Sequence, residues 1–167
     1  MPKHVYVIFD GDEDKWAYGY MKGWHKNTSV DFDFEDAHDL DTMTARASGE
    51  AYVKLRLKQR MTNSTAVVIL TGEKTKNLYK FVRWELELAL DLGIPIIAVN
   101  LNGKKVLDTE LCPPIIREAC AVHVPFKANV IMHALRSWPS QFRSLDAFEK
   151  GKGSRHYSED VYAKLGL

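Results

Sequence analysis

Apolar and polar positions fall in blocks along the chain, and block length and period separate strands from helices. Val5 to Phe9 (VYVIF) is a short apolar run that reads as an opening strand. FDGDED follows, and then a helical pattern from about Asp14 to His25 with Trp16, Tyr20 and Trp24 spaced by four. Val30 to Phe34 (VDFDF) alternates as a strand does, its aspartates and phenylalanines on opposite faces. A polar loop leads to a long helix from about Thr44 to Met61, carrying Tyr52, Val53, Leu55 and Leu57. TAVVILT, Thr65 to Thr71, is continuously apolar, the pattern of a strand buried on both faces of a parallel sheet. A helix through FVRWELELAL stops at Gly93, and IPIIAVN, Ile94 to Asn100, is a fourth buried strand. CAVHVPF supplies a fifth, and a helix runs from about Asn129 to Trp138.

Strands alternating with helices in this order predict a three-layer α/β domain of flavodoxin-like layout. Its mostly parallel, five-stranded sheet would be joined by right-handed crossovers. The ligand crevice of such a sheet lies beyond the carboxyl ends of the strands, near the switch in strand order. At 167 residues the chain suits one domain with a real core and is short for two. Residues 1–139 are read as that domain and residues 140–167, charged and glycine-containing, as a C-terminal extension packed on it or partly mobile.

Composition removes some classes of function. The 23 basic and 22 acidic side chains leave a formal net charge of +1, and no basic stripe accompanies the four tryptophans. No nucleic-acid partner is expected, and the tryptophans are assigned to core or lid positions. No run approaches the roughly 20 apolar residues of a membrane span. The N-terminal apolar run is too short, and too soon acidic, for a signal peptide. Cys112 and Cys120 lack zinc-like spacing and read as free thiols, so a cytoplasmic protein with no membrane partner is expected. TGEKTKN lacks the spacing of a phosphate-wrapping P-loop, and FDGDED has one glycine where a dinucleotide fold has three. Asp10 and Asp12 imitate the acidic pair of a phosphoacceptor domain, but Thr71 or Gly72 stands where its acceptor aspartate belongs. His25, His123 and His133 lack partners at metal-ligand spacing and read as structural; no metal or cofactor is expected.

The strand ends would deliver Phe9, Asp10, Gly11 and Asp12 from the first loop, and Glu35, Asp36, His38 and Asp39 from the second. Thr71, Gly72 and Glu73 would follow from the third. Asp12, Asp14 and Asp39 have an ordinary explanation as helix N-caps or solvated loop residues. Glu85 does not. At about 100° per residue, Leu78, Phe81, Val82, Leu88, Ala89 and Leu92 share an apolar arc, and Glu85 falls near its middle. A carboxylate there must be hydrogen-bonded, ion-paired (Arg46, Arg56 and Arg83 being the candidates), protonated, or open to a cleft.

Taken together, FDGDED after the first strand, FDFEDAH, the long second helix, AVVILTG and FVRWELELAL resemble the TIR-like family of Thoeris anti-phage defence proteins. The resemblance covers roughly residues 3 to 125, in element order as well as motif. TIR domains carry, on the helix after the third strand, an aromatic residue and four positions later the glutamate of NAD cleavage. Phe81 and Glu85 match that pair, with Phe for the more usual Trp, and Trp84 directly before the glutamate is typical of the Thoeris-like branch. Ile8-Phe9 departs from the Ser-Phe or similar pair that members often carry.

The resemblance implies an enzyme that takes NAD as substrate, breaks its nicotinamide–ribose bond and makes a cyclic ADP-ribose-type signal for an effector. Glu85 would be the catalytic carboxylate. Phe9, Asp10 and Gly11 would floor the nucleotide cleft, and Asp36 and His38 would lie in a loop used for ligand binding and self-association. Trp84 would line or support the site. Self-association through TIR surfaces and a phage-derived trigger are the implied partners beyond NAD. A non-catalytic TIR-like scaffold and a flavodoxin-like nucleotide-binding protein are the alternatives, since possession of a glutamate does not decide between them.

Overall fold

The structure, a computed structural model, describes residues 3–26, 32–37, 45–78 and 80–167, without the side chains of residues 45–48. The elements run β1 (Lys3–Ile8), α1 (Lys15–His25), β2 (Phe32–Glu35), α2 (Ala45–Met61), β3 (Ala66–Thr71) and α3 (Phe81–Asp91). They continue with β4 (Ile96–Asn100), β5 (Ala121–Pro125), α4 (Ala128–Ser144), α5 (Ala147–Lys150), β6 (Arg155–His156) and α6 (Glu159–Lys164). The strands form one sheet in the order β2-β1-β3-β4-β5-β6, and each neighbouring pair is parallel. This is the flavodoxin-like arrangement, with the order switching between β1 and β3.

The sheet has six strands, where the sequence pattern predicts five. β6 is only the dipeptide Arg155–His156, held by backbone pairing to Val122 and His123 of β5, and no apolar run announces it. The helix expected to end near Trp138 runs on to Ser144, so Pro139, where the extension was expected to begin, lies buried inside α4. Tyr162 of α6 is buried in the same core as α1 and α4. The last residues therefore add a strand and a helix to the domain's own sheet and core.

Each strand feeds two cores because successive side chains leave opposite faces. Val5, Val7 and Phe9 of β1 and its following loop meet Ala17, Tyr18 and Met21 of α1 and, farther along, Val130, Ile131 and Leu135 of α4. Tyr6 and Ile8 face the other way, toward Val53, Leu57 and Met61 of α2 and Phe81, Val82 and Leu86 of α3. All six residues of β3 are buried, as its continuous apolar run predicts. The long second helix is interrupted at Gly49, whose φ of 80° suits a residue without Cβ.

Candidate functional site

Glu85 lies on the buried face of α3 with Phe81, Val82, Leu86 and Ala89, and only 2% of its surface is exposed. Tyr6 comes up to meet it from β1. The Tyr6 hydroxyl donates to Glu85 Oε2 at 2.5 Å, and Tyr6 itself is 0% exposed. A phenol donating to a carboxylate makes a short, charge-assisted bond, which answers the demand that a buried carboxylate be satisfied. Burial first, and then the charge and hydrogen bond of Glu85, push the Tyr6 phenol well above its ordinary range. It therefore keeps its proton and serves as a fixed donor.

Two of the three arginines expected as partners are engaged elsewhere. Arg83 Nε pairs with Glu87 Oε1 at 2.9 Å, and Arg56 Nη1 donates to Gln59 Oε1 at 3.1 Å. The side chain of Arg46 lies outside the described residues. Among the described residues Arg60 also bears on this region. Its Nη1 donates to the Asp36 carbonyl at 3.2 Å, and its charge opposes the rise of the Tyr6 phenol. Sequence reasoning missed Tyr6 and Arg60. The available signal was the tyrosine within VYVIF, since a buried phenol requires a partner for its hydroxyl.

The remaining expected residues distribute unevenly around this pair. Asp36, half-buried after β2, bears on the phenols of both Tyr6 and Tyr18; burial, then the charge and hydrogen bond of Asp36, drive Tyr18 upward. Trp84 packs against the α2–α3 side of the core with the Lys54 ammonium 5.0 Å from its ring centroid, a supporting position. His38 lies outside the described residues. Phe9 faces the opposite side of the sheet from Tyr6, its ring centroid 4.7 Å from that of Tyr18. Asp10 is buried and shapes the loop after β1: its Oδ1 accepts from the backbone of Asp12 at 3.0 Å and of Glu13 at 3.3 Å. Gly11 lies in that same turn. Among the described residues Tyr6 thus bonds Glu85 alone, Asp36 acts on that phenol only through its charge and bonds Tyr18 on the α1 side, and the side chain of Phe9 and the carboxylate of Asp10 serve the loop and the α1 side.

A cleft of about 330 Å³ opens at the carboxyl ends of β1, β3 and β4, where the topology places a ligand crevice. It is lined by Glu13, Asp14, Trp16, Thr71, Gly72, Glu73, Lys74, Leu101, Asn102 and Leu111, and Glu85 is not among them. Asp14 precedes α1 but makes no side-chain cap bond. Its carboxylate turns instead toward Thr75, whose hydroxyl reaches Oδ2 only at 3.5 Å. Burial and then the neighbouring Asp10 charge raise the Asp14 carboxyl to about 6. Gly72 is required beside it, because a Cβ there would run into the Asp14 carboxylate. Among the described residues no group of three His, Cys, Asp or Glu is arranged to hold a metal ion, and no helix is long and apolar enough to cross a membrane.

Fold and site together define a TIR-like α/β domain: a doubly wound parallel sheet with a buried glutamate on the helix after its third strand. The family described as Thoeris protein ThsB, TIR-like domain, matches residues 6–106, a span that runs from Tyr6 through Glu85, and the chain belongs to that family. It is an anti-phage defence protein of TIR type. A crystal structure of a conserved protein from Enterococcus faecalis V583 is similar at 13% identity with a TM-score of 0.46, over 99% of this chain and 98% of that one. No curated protein matches.

Proposed function

We propose that this domain cleaves NAD at the nicotinamide–ribose bond, with Glu85 as the catalytic carboxylate, and releases a cyclic ADP-ribose-type signal that activates an effector. The observation that carries this reading is the Tyr6–Glu85 pair. Four residues after Phe81, the spacing that the resemblance gives to the glutamate of NAD cleavage, a carboxylate is held on an apolar helix face by a buried phenol 2.5 Å away. Nicotinamide leaves as a neutral ring from a cationic one, taking the bonding electron pair, so no general acid is needed. Positive charge builds on the ribose carbon, and an oriented carboxylate stabilises it. Tyr6 orients by restraining Oε2, which removes rotational freedom before substrate arrives. Capture of that carbon by water gives ADP-ribose; capture by a nucleophile of the same molecule, with loss of its proton, gives a cyclic product and requires water to be kept out. Self-association and a phage-derived trigger belong to the same proposal, as the means of completing the site.

The test is incubation of concentrated protein with NAD beside Glu85→Gln, with nicotinamide and ADP-ribose species separated by chromatography. Turnover is expected to fall by a factor of about 10² or more in the variant, with circular dichroism unchanged. Full turnover in Glu85→Gln would remove the catalytic assignment, and product mass separates cyclisation from hydrolysis.

A further inference from the structure

The cleft at the strand ends has a chemistry of its own, independent of any reaction at Glu85. Trp16 stands at its wall with 51% of its surface exposed, although the sequence pattern assigns the tryptophans to core or lid positions. Its ring is held edge-on by Phe126 at 5.5 Å and Tyr20 at 6.1 Å, so an aromatic face is kept in place beside the opening. Asp14, two residues earlier and 6% exposed, lines the same cleft. Among the described residues its carboxylate has a single hydrogen-bond contact, the one of 3.5 Å from Thr75, and the same Thr75 hydroxyl proton also has the Leu70 carbonyl at 3.4 Å to choose. Asp14 Oδ1 accepts nothing among the described residues. An oxygen left unused on a cleft wall is available to accept from a donor that enters the cleft.

Charge narrows the class of ligand. Glu13, Asp14 and Glu73 line the cleft with a single lysine, Lys74, and its ammonium is engaged by Glu13 at 3.0 Å. Asp10 adds a further carboxylate close to Asp14. A phosphate placed here would meet carboxylates with no uncommitted cation among the described lining residues to offset them. Hydrogen-bond donors are favoured, and so is a planar ring that covers Trp16. The volume of about 330 Å³ suits a nucleoside. We propose that this cleft binds a nucleoside without phosphates, its base stacked on Trp16 and its ribose hydroxyls donating to Asp14.

The probe is adenosine, with AMP as the discriminating partner, each titrated into the full chain and followed by calorimetry and by the indole N–H resonances. Adenosine is expected to bind and to shift the Trp16 resonance, with AMP weaker by about tenfold or more. Trp16→Ala, at an exposed position that leaves the core intact, is expected to weaken adenosine by about tenfold or more. Asp14→Asn is expected to weaken it as well, and Glu85→Gln to leave it unchanged. No binding at low-millimolar adenosine, AMP binding as tightly as adenosine, or undiminished affinity in Trp16→Ala would each overturn the proposal. Loss of adenosine binding in Glu85→Gln would overturn it too, by moving the ligand to the other site. None of these readings depends on NAD turnover, so failure here and failure of the catalytic proposal are separate results.

Discussion

Two acids, Glu85 and Asp14, are nearly equally buried and end in opposite circumstances. Glu85 is enclosed by the α2–α3 core and held by Tyr6 at 2.5 Å. Asp14 sits among other carboxylates at the strand ends, with one contact at 3.5 Å and a cleft in front of it. Burial alone therefore says little about a carboxylate. What matters is whether the enclosing groups donate to it, as a phenol does, or repel it, as a second aspartate does. The first arrangement fixes a geometry, and the second leaves an oxygen for a ligand.

The largest effect that bears on this contrast is expected from Tyr6→Phe. Removing the hydroxyl leaves the Glu85 carboxylate without its short donor and costs about 1–3 kcal/mol, read as a lower urea midpoint. If NAD is cleaved at Glu85, the acid limb of its pH profile moves to higher pH in Tyr6→Phe, because the bond that favours the ionised carboxylate has gone. A change in stability with no movement of the limb would reduce Tyr6 to a packing residue.

Gly72→Ala comes next. The added Cβ meets the Asp14 carboxylate, and displacing that group within packed surroundings costs about 1–3 kcal/mol. Unchanged stability would mean that Asp14 moves aside easily, which would blunt its contrast with Glu85.

A smaller, pH-dependent effect is expected from Asp14→Asn. The folded-state carboxyl is raised to about 6 from an unfolded value near 3.8, so the native state holds its proton more tightly than the unfolded chain. Stability from this group is therefore full below the unfolded value and declines as pH rises from about 4 to about 6. Asp14→Asn should flatten that decline in urea midpoints measured across the window. An identical slope in both proteins would show that Asp14 is not the group responsible.

The smallest effect belongs to Lys74→Ala. The Lys74–Glu13 pair spans 3.0 Å, but both side chains are more than half exposed, and such pairs contribute little. Stability should not change measurably, and a clear loss would show the cleft to be more tightly bound together than its exposure indicates.

Fold class was legible because it rests on periodicity. The buried runs AVVILT and IIAVN could only be interior strands of a parallel sheet, and the helices between them imposed the crossovers. β6 was illegible because a two-residue strand is defined by the backbone it pairs with and carries no pattern of its own. Residues 140–167 read as an extension because they are charged and glycine-containing, yet tertiary packing carries α4 through Pro139 to Ser144. At the site, the helical wheel was enough to place Glu85 inside, since an amphipathic helix has one buried face whatever lies against it. That the group against it is Tyr6, 79 positions earlier, depends on β1 lying next to β3 in the sheet. For Asp14 the chain order suggested a cap of α1, and the folded chain turned it to Thr75, 61 positions later, because a helix start and a strand end converge there. Periodicity is written locally in the chain; which donor meets which carboxylate is set only when distant segments pack.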